Sequence, residues 1–332
     1  MHTKQKIIGT LIPMSSLFSP RLKKRDQGTF LAGTLFLDWL HKTHQSAWQL
    51  LPLQETSLTP ASLVKHVPSP YKTYGVGLDP KYISSSFSGK FPTKKEKNKF
   101  IKFNRDWITD YAFFCALRDY FKTDDWRKWN EDLRTRKKAT LNYWKAKLTK
   151  NIDDYIVLQW RAYKSYSSLR SKAKSLGISL IGDLPFYVSF QSPLVWVYQD
   201  LFQIDKDGTM KYVSGILNTP STHFGRQVWG HPLYNWKVKK NREKIISFWK
   251  MRLRYLSTIF DFIRFDHPVG FFEYGAMDPG NGENDEYKRG PGAEVFEKLI
   301  RFGKTCGLLI FAEESGVHLR KLRATLLKLK TP

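Results

Sequence analysis

Only two cysteines, Cys115 and Cys306, occur in 332 residues, and they lie far apart. Their spacing suits no metal or redox motif, which sets aside disulfide scaffolds. Both cysteines read as free thiols of a reducing compartment. No run of eighteen apolar residues exists, and the N-terminal apolar stretch is short and interrupted by Gly9 and Pro13. That argues against a membrane span and a signal peptide, so the expected location is the cytoplasm. Acidic residues are also scarce. Thirty Asp and Glu stand against 55 Lys and Arg, leaving a net charge of +25. Such an excess raises polyanions as partners. The basic residues, however, are scattered from KKEKNKFIK (94–102) through RTRKK (134–138) to KVKKNREK (237–244) and the C-terminal LRKLRATLLKLK. No zinc-finger, RNA-recognition or P-loop signature accompanies them, so neither a specific nucleic acid nor a membrane is expected as partner.

Hydrophobic residues make up 41% of the chain and aromatics 15%, far from a disordered composition. Short apolar runs at 48–53, 179–188, 259–266 and 308–314 read as strands. They alternate with amphipathic segments of helical length, such as 29–45 and 244–259. Strands and helices alternating in this way imply a parallel sheet with crossover helices. The stretch 100–176 is helical in pattern, basic and rich in Trp and Tyr. It is too long for a simple βα loop and reads as a helical insertion. Segments 69–77, 224–236 and 277–292, rich in Gly and Pro, read as loops.

The polar ends of the apolar runs carry the chemistry. FDFIRFDHP places Arg264 and Asp266 two residues apart, hence on one face, at the C-terminal end of a strand. IGDLP ends in Asp183. In LLIFAEE, Glu313 shares a face with Leu309 and Phe311, while Glu314 points outward. Each carboxylate alone could simply cap a helix or pair with an arginine. Three at one barrel mouth fit glycoside chemistry, in which one carboxylate attacks and another transfers the proton.

These segments resemble, in order, the motifs of the 4-α-glucanotransferases called amylomaltases or disproportionating enzymes. AWQLLPLQETS is similar to WQxLPLxPT, SPYKTYG to SPYxSxS, and IGDLPFYV to GDxPxxV. FGRQVWGHPLYNW is similar to GQxWGNPLYxW, DFIRFDHPVGF to RIDHFRGF, and FAEESGV to AEDLGV. The resemblance implies a (β/α)8 TIM-type barrel and transfer of α-1,4-glucan segments between maltooligosaccharides by retaining double displacement. It implies Asp266 as nucleophile, Glu313 as acid/base and Arg264 as the catalytic cation orienting Asp266. Tyr71, Asp183, Trp229 and His267 would bind substrate, a maltooligosaccharide or glycogen-type glucan. No metal or organic cofactor is implied.

The chain departs from that pattern in several places. The family continues past this point, and a later strand carries a Thr-His-Asp element that occurs nowhere here. The expectation is a single barrel domain over 1–332 with an insertion at 100–176 and its final strands missing. Such a chain would be a fragment, an inactive glucan-binding remnant, or one completed by a second polypeptide. Pro268 and Val269 stand in place of Phe-Arg, and Lys72 in place of a glutamine. Glu314 and Ser315 replace Asp-Leu, and SGILNTPSTHF (214–224) does not match the usual GVPPDYFS.

Overall fold

The computed structural model describes residues 7–57, 69–218, 225–280, 282–314 and 319–332. Along the chain the strands are β1 (Gly9–Leu11), β2 (Ala47–Gln49), β3 (Gln54–Thr56), β4 (Thr73–Leu78), β5 (Ser179–Leu184) and β6 (Val213–Ile216). They continue as β7 (Gln227–Pro232), β8 (Phe262–Phe265), β9 (Glu273–Met277), β10 (Glu286–Arg289) and β11 (Leu309–Ala312). The helices are α1 (Phe30–Lys42), α2 (Ser85–Ser88), α3 (Lys94–Phe103), α4 (Ile108–Phe121), α5 (Glu131–Arg134) and α6 (Lys138–Lys147). After them come α7 (Thr149–Ser175), α8 (Pro193–Val197), α9 (Arg242–Ser257), α10 (Ala293–Thr305) and α11 (Arg320–Leu329).

Five strands form one parallel sheet in the order β1–β2–β5–β8–β11. Its register stacks side chains in layers. Leu11, Gln49, Ile181, Phe262 and Leu309 lie side by side in one row, and Asp183, Arg264 and Phe311 in a row nearer the C-terminal ends. The opposite face, with Trp48, Leu180, Leu184, Ile263, Phe265 and Ile310, is buried under the helices. Phe265 stacks on Trp249 of α9, ring centroids 5.3 Å apart, and meets Phe296 of α10 edge-on. Gly182 is needed here, because a Cβ would lie 2.3 Å from the Phe260 ring. The architecture is a (β/α)8-type barrel with five parallel strands among the described residues. β1 and β11 are its two edges.

In β8 only the helix side is sealed: Phe262 and Arg264, on the layered side, are half-buried. The reason is the open arc, in which the row ends at Leu11 and Leu309, exposed at 53% and 51%. Three segments read as loops contain strands. Residues 73–78 form β4, paired with β3, and 227–232 and 286–289 form β7 and β10 of an antiparallel sheet β10–β9–β6–β7. In β4 the misleading residues are Gly75 and Gly77, both at positive φ (79° and 77°). A Cβ on Gly77 would press to 2.9 Å from the Tyr111 ring, so this glycine serves close packing rather than a turn.

Candidate active site

Each parallel strand ends at the same side of the sheet, and the carboxylates expected from the sequence meet there. Asp183 lies near the end of β5, Asp266 follows β8, and Glu313 follows β11. Arg264 stands between them. Its Nη1 donates to Asp183 Oδ1 at 2.8 Å and to Asp266 Oδ1 at 2.9 Å, and its Nη2 lies 3.1 Å from Glu313 Oε2. Tyr71, from the segment before β4, donates its hydroxyl to Asp183 Oδ2 at 2.9 Å. The arginine–carboxylate pair is thus the centre of a cluster and no isolated strand cap. Glu314 turns away, as its sequence parity requires, and pairs with Arg323 of α11 at 2.9 Å.

His267 has a left-handed backbone, φ 51°, uncommon for a residue with a side chain. In this turn its N–H donates to Glu313 Oε2 at 2.9 Å, tying β8 to the carboxylate after β11. Pro268 then starts a short 3₁₀ turn, Pro268–Phe271, whose residues are buried. The His267 ring meets Trp229 of β7 edge-on, centroids 5.0 Å apart. Trp229 is half-buried and donates its indole N–H to Gln227 Oε1 at 2.9 Å. Every expected site residue therefore lies in one connected constellation.

Sequence reasoning overlooked three members of the wall. Tyr187 stacks parallel to His231, 5.8 Å between centroids, and sits 6.3 Å from both Trp229 and His267. Phe186 meets His267 edge-on. His231 bonds Ser214 Oγ through Nδ1 at 3.1 Å and lies against the Tyr71 backbone. The signal was present in LPFYV and WGHPLY, but no local spacing links two segments forty residues apart. The hydroxyl of Tyr187 and Nε2 of His267 are buried without a hydrogen-bond partner among the described residues. Polar atoms left so in a closed wall are suited to a hydroxylated ligand.

Electrostatics follow from crowding. Burial pushes the Asp183 carboxyl up, against the pull of Arg264 and Tyr71. Burial also raises Asp266, and Asp183 and Glu313 add to this while Arg264 opposes it, leaving Asp266 pushed up to about 7. Asp266 and Glu313 are in hydrogen-bond contact, so the pair retains a proton near neutrality. Burial alone would lower the Arg264 guanidinium, but its three carboxylates hold it above its ordinary value. His267 is lowered to about 4 by burial, with Glu313 opposing. His231 falls to about 3 through burial and the nearby Lys72. Both rings are neutral at physiological pH. No group of three or more His, Cys, Asp or Glu is arranged to hold a metal ion among the described residues. No described helix is long and apolar enough to cross a membrane. The segment 214–224 lies partly, and Ser315 wholly, outside the described residues.

Known proteins place this arrangement. Among solved structures, the amylomaltase from Streptococcus agalactiae in complex with acarbose superposes with a TM-score of 0.83 at 24% identity. It covers 99% of this chain and 72% of its own. The amylomaltase of Corynebacterium glutamicum gives a TM-score of 0.75 at 14% identity, over 97% of this chain and 49% of its own. Likeness at such identities speaks for the fold. By sequence, the 4-alpha-glucanotransferase of Aquifex aeolicus is 30% identical over 302 residues, 80% of this chain and 61% of that protein. The Clostridium butyricum enzyme of the same name is 27% identical over 319 residues, 85% of this chain and 64% of the enzyme. The chain thus spans less than two thirds of the length of these curated relatives. Residues 84–332 match the family profile described as 4-alpha-glucanotransferase, and with the barrel arc and its Arg-centred carboxylates the chain belongs to that family.

Proposed function

We propose that this chain carries the bond-cleaving centre of a retaining 4-α-glucanotransferase acting on α-1,4-linked maltooligosaccharides or a glycogen-type glucan. The observation that carries the reading is Arg264, hydrogen-bonded to Asp183 and Asp266 and paired with Glu313 at the C-terminal end of the sheet. Asp266 attacks the anomeric carbon as Glu313 protonates the departing glycosidic oxygen, giving a glucosyl ester on Asp266. Glu313, now a carboxylate, takes the proton from the 4-hydroxyl of an acceptor sugar as that oxygen displaces Asp266. Arg264 is the catalytic cation that favours the ionised nucleophile. Tyr71, Asp183, His267 and Trp229 bind the sugar, with Tyr187 and His231 completing their wall. We also assign residues 100–176 as a helical insertion within a single barrel domain, and the cytoplasm as the site of action. Two unpaired cysteines support that location.

The test is maltotriose disproportionation, read as glucose release together with longer products. Asp266→Asn is expected to reduce turnover roughly 10³-fold or more, and Glu313→Gln about 10²–10⁴-fold. A maltosyl fluoride donor, whose leaving group needs no proton, restores the first step in Glu313→Gln but not in Asp266→Asn. Unimpaired turnover in either variant overturns the role assignments.

A further inference from the structure

A cavity of about 300 Å³ lies at the opposite end of the parallel strands from the carboxylates. One wall is the end of α9, from Met251 to Thr258, which precedes β8, whereas Asp266 follows that strand. Cys306, also in the lining, closes α10 just ahead of β11, whereas Glu313 lies beyond it. The facing wall is the link between α3 and α4, with Phe103, Asn104 and Trp107. None of these residues serves the reaction proposed above. The volume is at the small end of the range for ligand sites.

The lining is aromatic and polar at once, and its charges cancel. Trp107 and Tyr255 meet edge-on, ring centroids 5.3 Å apart, and Phe103 is 61% exposed. Among the described residues the charged groups of the lining are Asp106 and Arg254, whose Nη1 donates to Asp106 Oδ2 at 3.0 Å. A balanced pair gives an ionic ligand no free counter-charge. Hydrogen-bonding capacity nevertheless remains, both to give and to accept. Tyr255 is 7% exposed, and its hydroxyl has no hydrogen-bond partner among the described residues. The Gly77 N–H approaches that oxygen without reaching bonding geometry. Asn104, also buried, spends its amide N–H on Phe100 O at 2.9 Å, which leaves its side-chain carbonyl as an acceptor. Arg254 keeps N–H groups beyond the one given to Asp106. A buried polar group without a partner is costly, so a ligand that satisfies Tyr255 gains by it. A sugar hydroxyl both donates and accepts, and a pyranose ring also offers an apolar face to aromatics.

We infer that this cavity is a second saccharide site, holding a glucosyl unit of a neutral α-glucan at the N-terminal end of the barrel, remote from the bond-cleaving centre. That its ligand is a glucan rests on the reading above, but the two sites share no residue. Arg254 and Tyr255 donate to ring hydroxyls, Asn104 and Asp106 accept from them, and the Trp107 and Phe103 rings cover the apolar face. A glucan held there stays with the protein between encounters with the catalytic centre, which raises its effective concentration.

Cys306 provides the test. It lines the cavity and is half-buried, whereas Cys115 is fully buried and its thiol is pushed well above the usual range by that burial. Alkylation by iodoacetamide therefore reads the cavity at Cys306 and unfolding at Cys115. The 332-residue chain carries Asp266→Asn, so that maltotriose is bound without being consumed, and adenosine serves as a ring ligand of other chemistry. Maltotriose is expected to slow Cys306 alkylation roughly tenfold at ten times its dissociation constant, and calorimetry to count two sites. Adding Arg254→Gln is expected to weaken that protection about tenfold, from one lost charge-assisted hydrogen bond. The other site is expected to be unchanged and Cys115 to remain unreactive. One maltotriose site with Cys306 unprotected overturns the inference and leaves the glucan reading standing. Protection that survives Arg254→Gln, or equal protection by adenosine, also overturns it. One site with Cys306 protected upholds the inference and counts against glucan binding at the carboxylates. If maltotriose binds nowhere, both fail.

Discussion

At the scale of single residues, Asp266 is the group whose ionisation the fold controls most visibly. Its side chain is 24% exposed, touches Arg264 and Glu313, and is pushed up to about 7 from 3.8. A carboxyl raised in the folded state favours folding in its protonated form. Its contribution is complete below the unfolded value near 3.8 and is lost as pH rises through about 7. Asparagine resembles the protonated acid at every pH. Asp266→Asn is therefore expected to match the parent in stability near pH 4 and to exceed it by about 1–3 kcal/mol at pH 8. Urea unfolding at the two pH values checks this, and a gain of equal size at both would show that the pair holds no proton at neutrality. A residue needed for turnover would thus be one whose removal stabilises the chain, the usual sign of a site strained for function.

At the scale of elements, a buried polar network holds the β3–β4 hairpin against the helices of the 94–175 stretch. Arg118 of α4 donates to Glu55 of β3 at 2.6 Å, to Tyr74 of β4 at 3.2 Å and to Tyr155 of α7 at 2.8 Å. Tyr111 also donates to Glu55, and Gln159 clasps both backbone groups of Leu78. β4 begins one residue after Lys72 and two after Tyr71, so this network positions one side of the site. Breaking it from one end leaves an uncompensated buried charge. Arg118→Met is expected to cost about 3–5 kcal/mol, and Glu55→Leu a similar amount. The double variant is expected to cost clearly less than the sum, and additive losses in a double-mutant cycle would deny the coupling.

The same elements show what could be read in advance. Strands β5, β8 and β11 were legible because each is an apolar run ending in a charge, and residue parity correctly put Glu313 with the cluster and Glu314 outside it. β1 went unrecognised: three residues, Gly9–Leu11, pair with β2 only through the backbone, and two of them are exposed. The antiparallel sheet was hidden for a different reason. Its strands β7 and β10 carry Gly, Pro and charge, and the two hairpins join only through β6 and β9, about sixty residues apart. His231 and Tyr187 joined the site through contacts between separate segments, which spacing along one segment cannot express.

At the scale of the whole molecule, the charge of +25 and two buried imidazoles act together in acid. His231 and His267 are lowered to about 3 and about 4 by burial, against 6.5 for a free ring. A base lowered in the folded state stabilises it above the unfolded value, and that contribution is lost as pH falls toward the folded one. Between pH 6.5 and 4 the unfolded chain thus binds up to two protons that the folded chain does not. Asp266 opposes one of them over the same range, since its folded form holds the extra proton. These three groups leave a net difference of about one proton, worth roughly 1.4 kcal/mol of stability per pH unit. Removing the opposing group makes the fall steeper: Asp266→Asn is expected to lose stability faster than the parent from pH 6.5 to 4. Acid also protonates surface carboxylates and enlarges a positive charge that already repels itself. Salt screens this repulsion between exposed groups but reaches the buried rings far less. Melting curves at pH 7.5 and 5, in low and high salt, separate the two causes. Salt is expected to recover only part of the acid loss, with the remainder falling further in His231→Gln, which has no ring to charge. Full recovery by salt in the parent would assign the acid sensitivity to net charge alone.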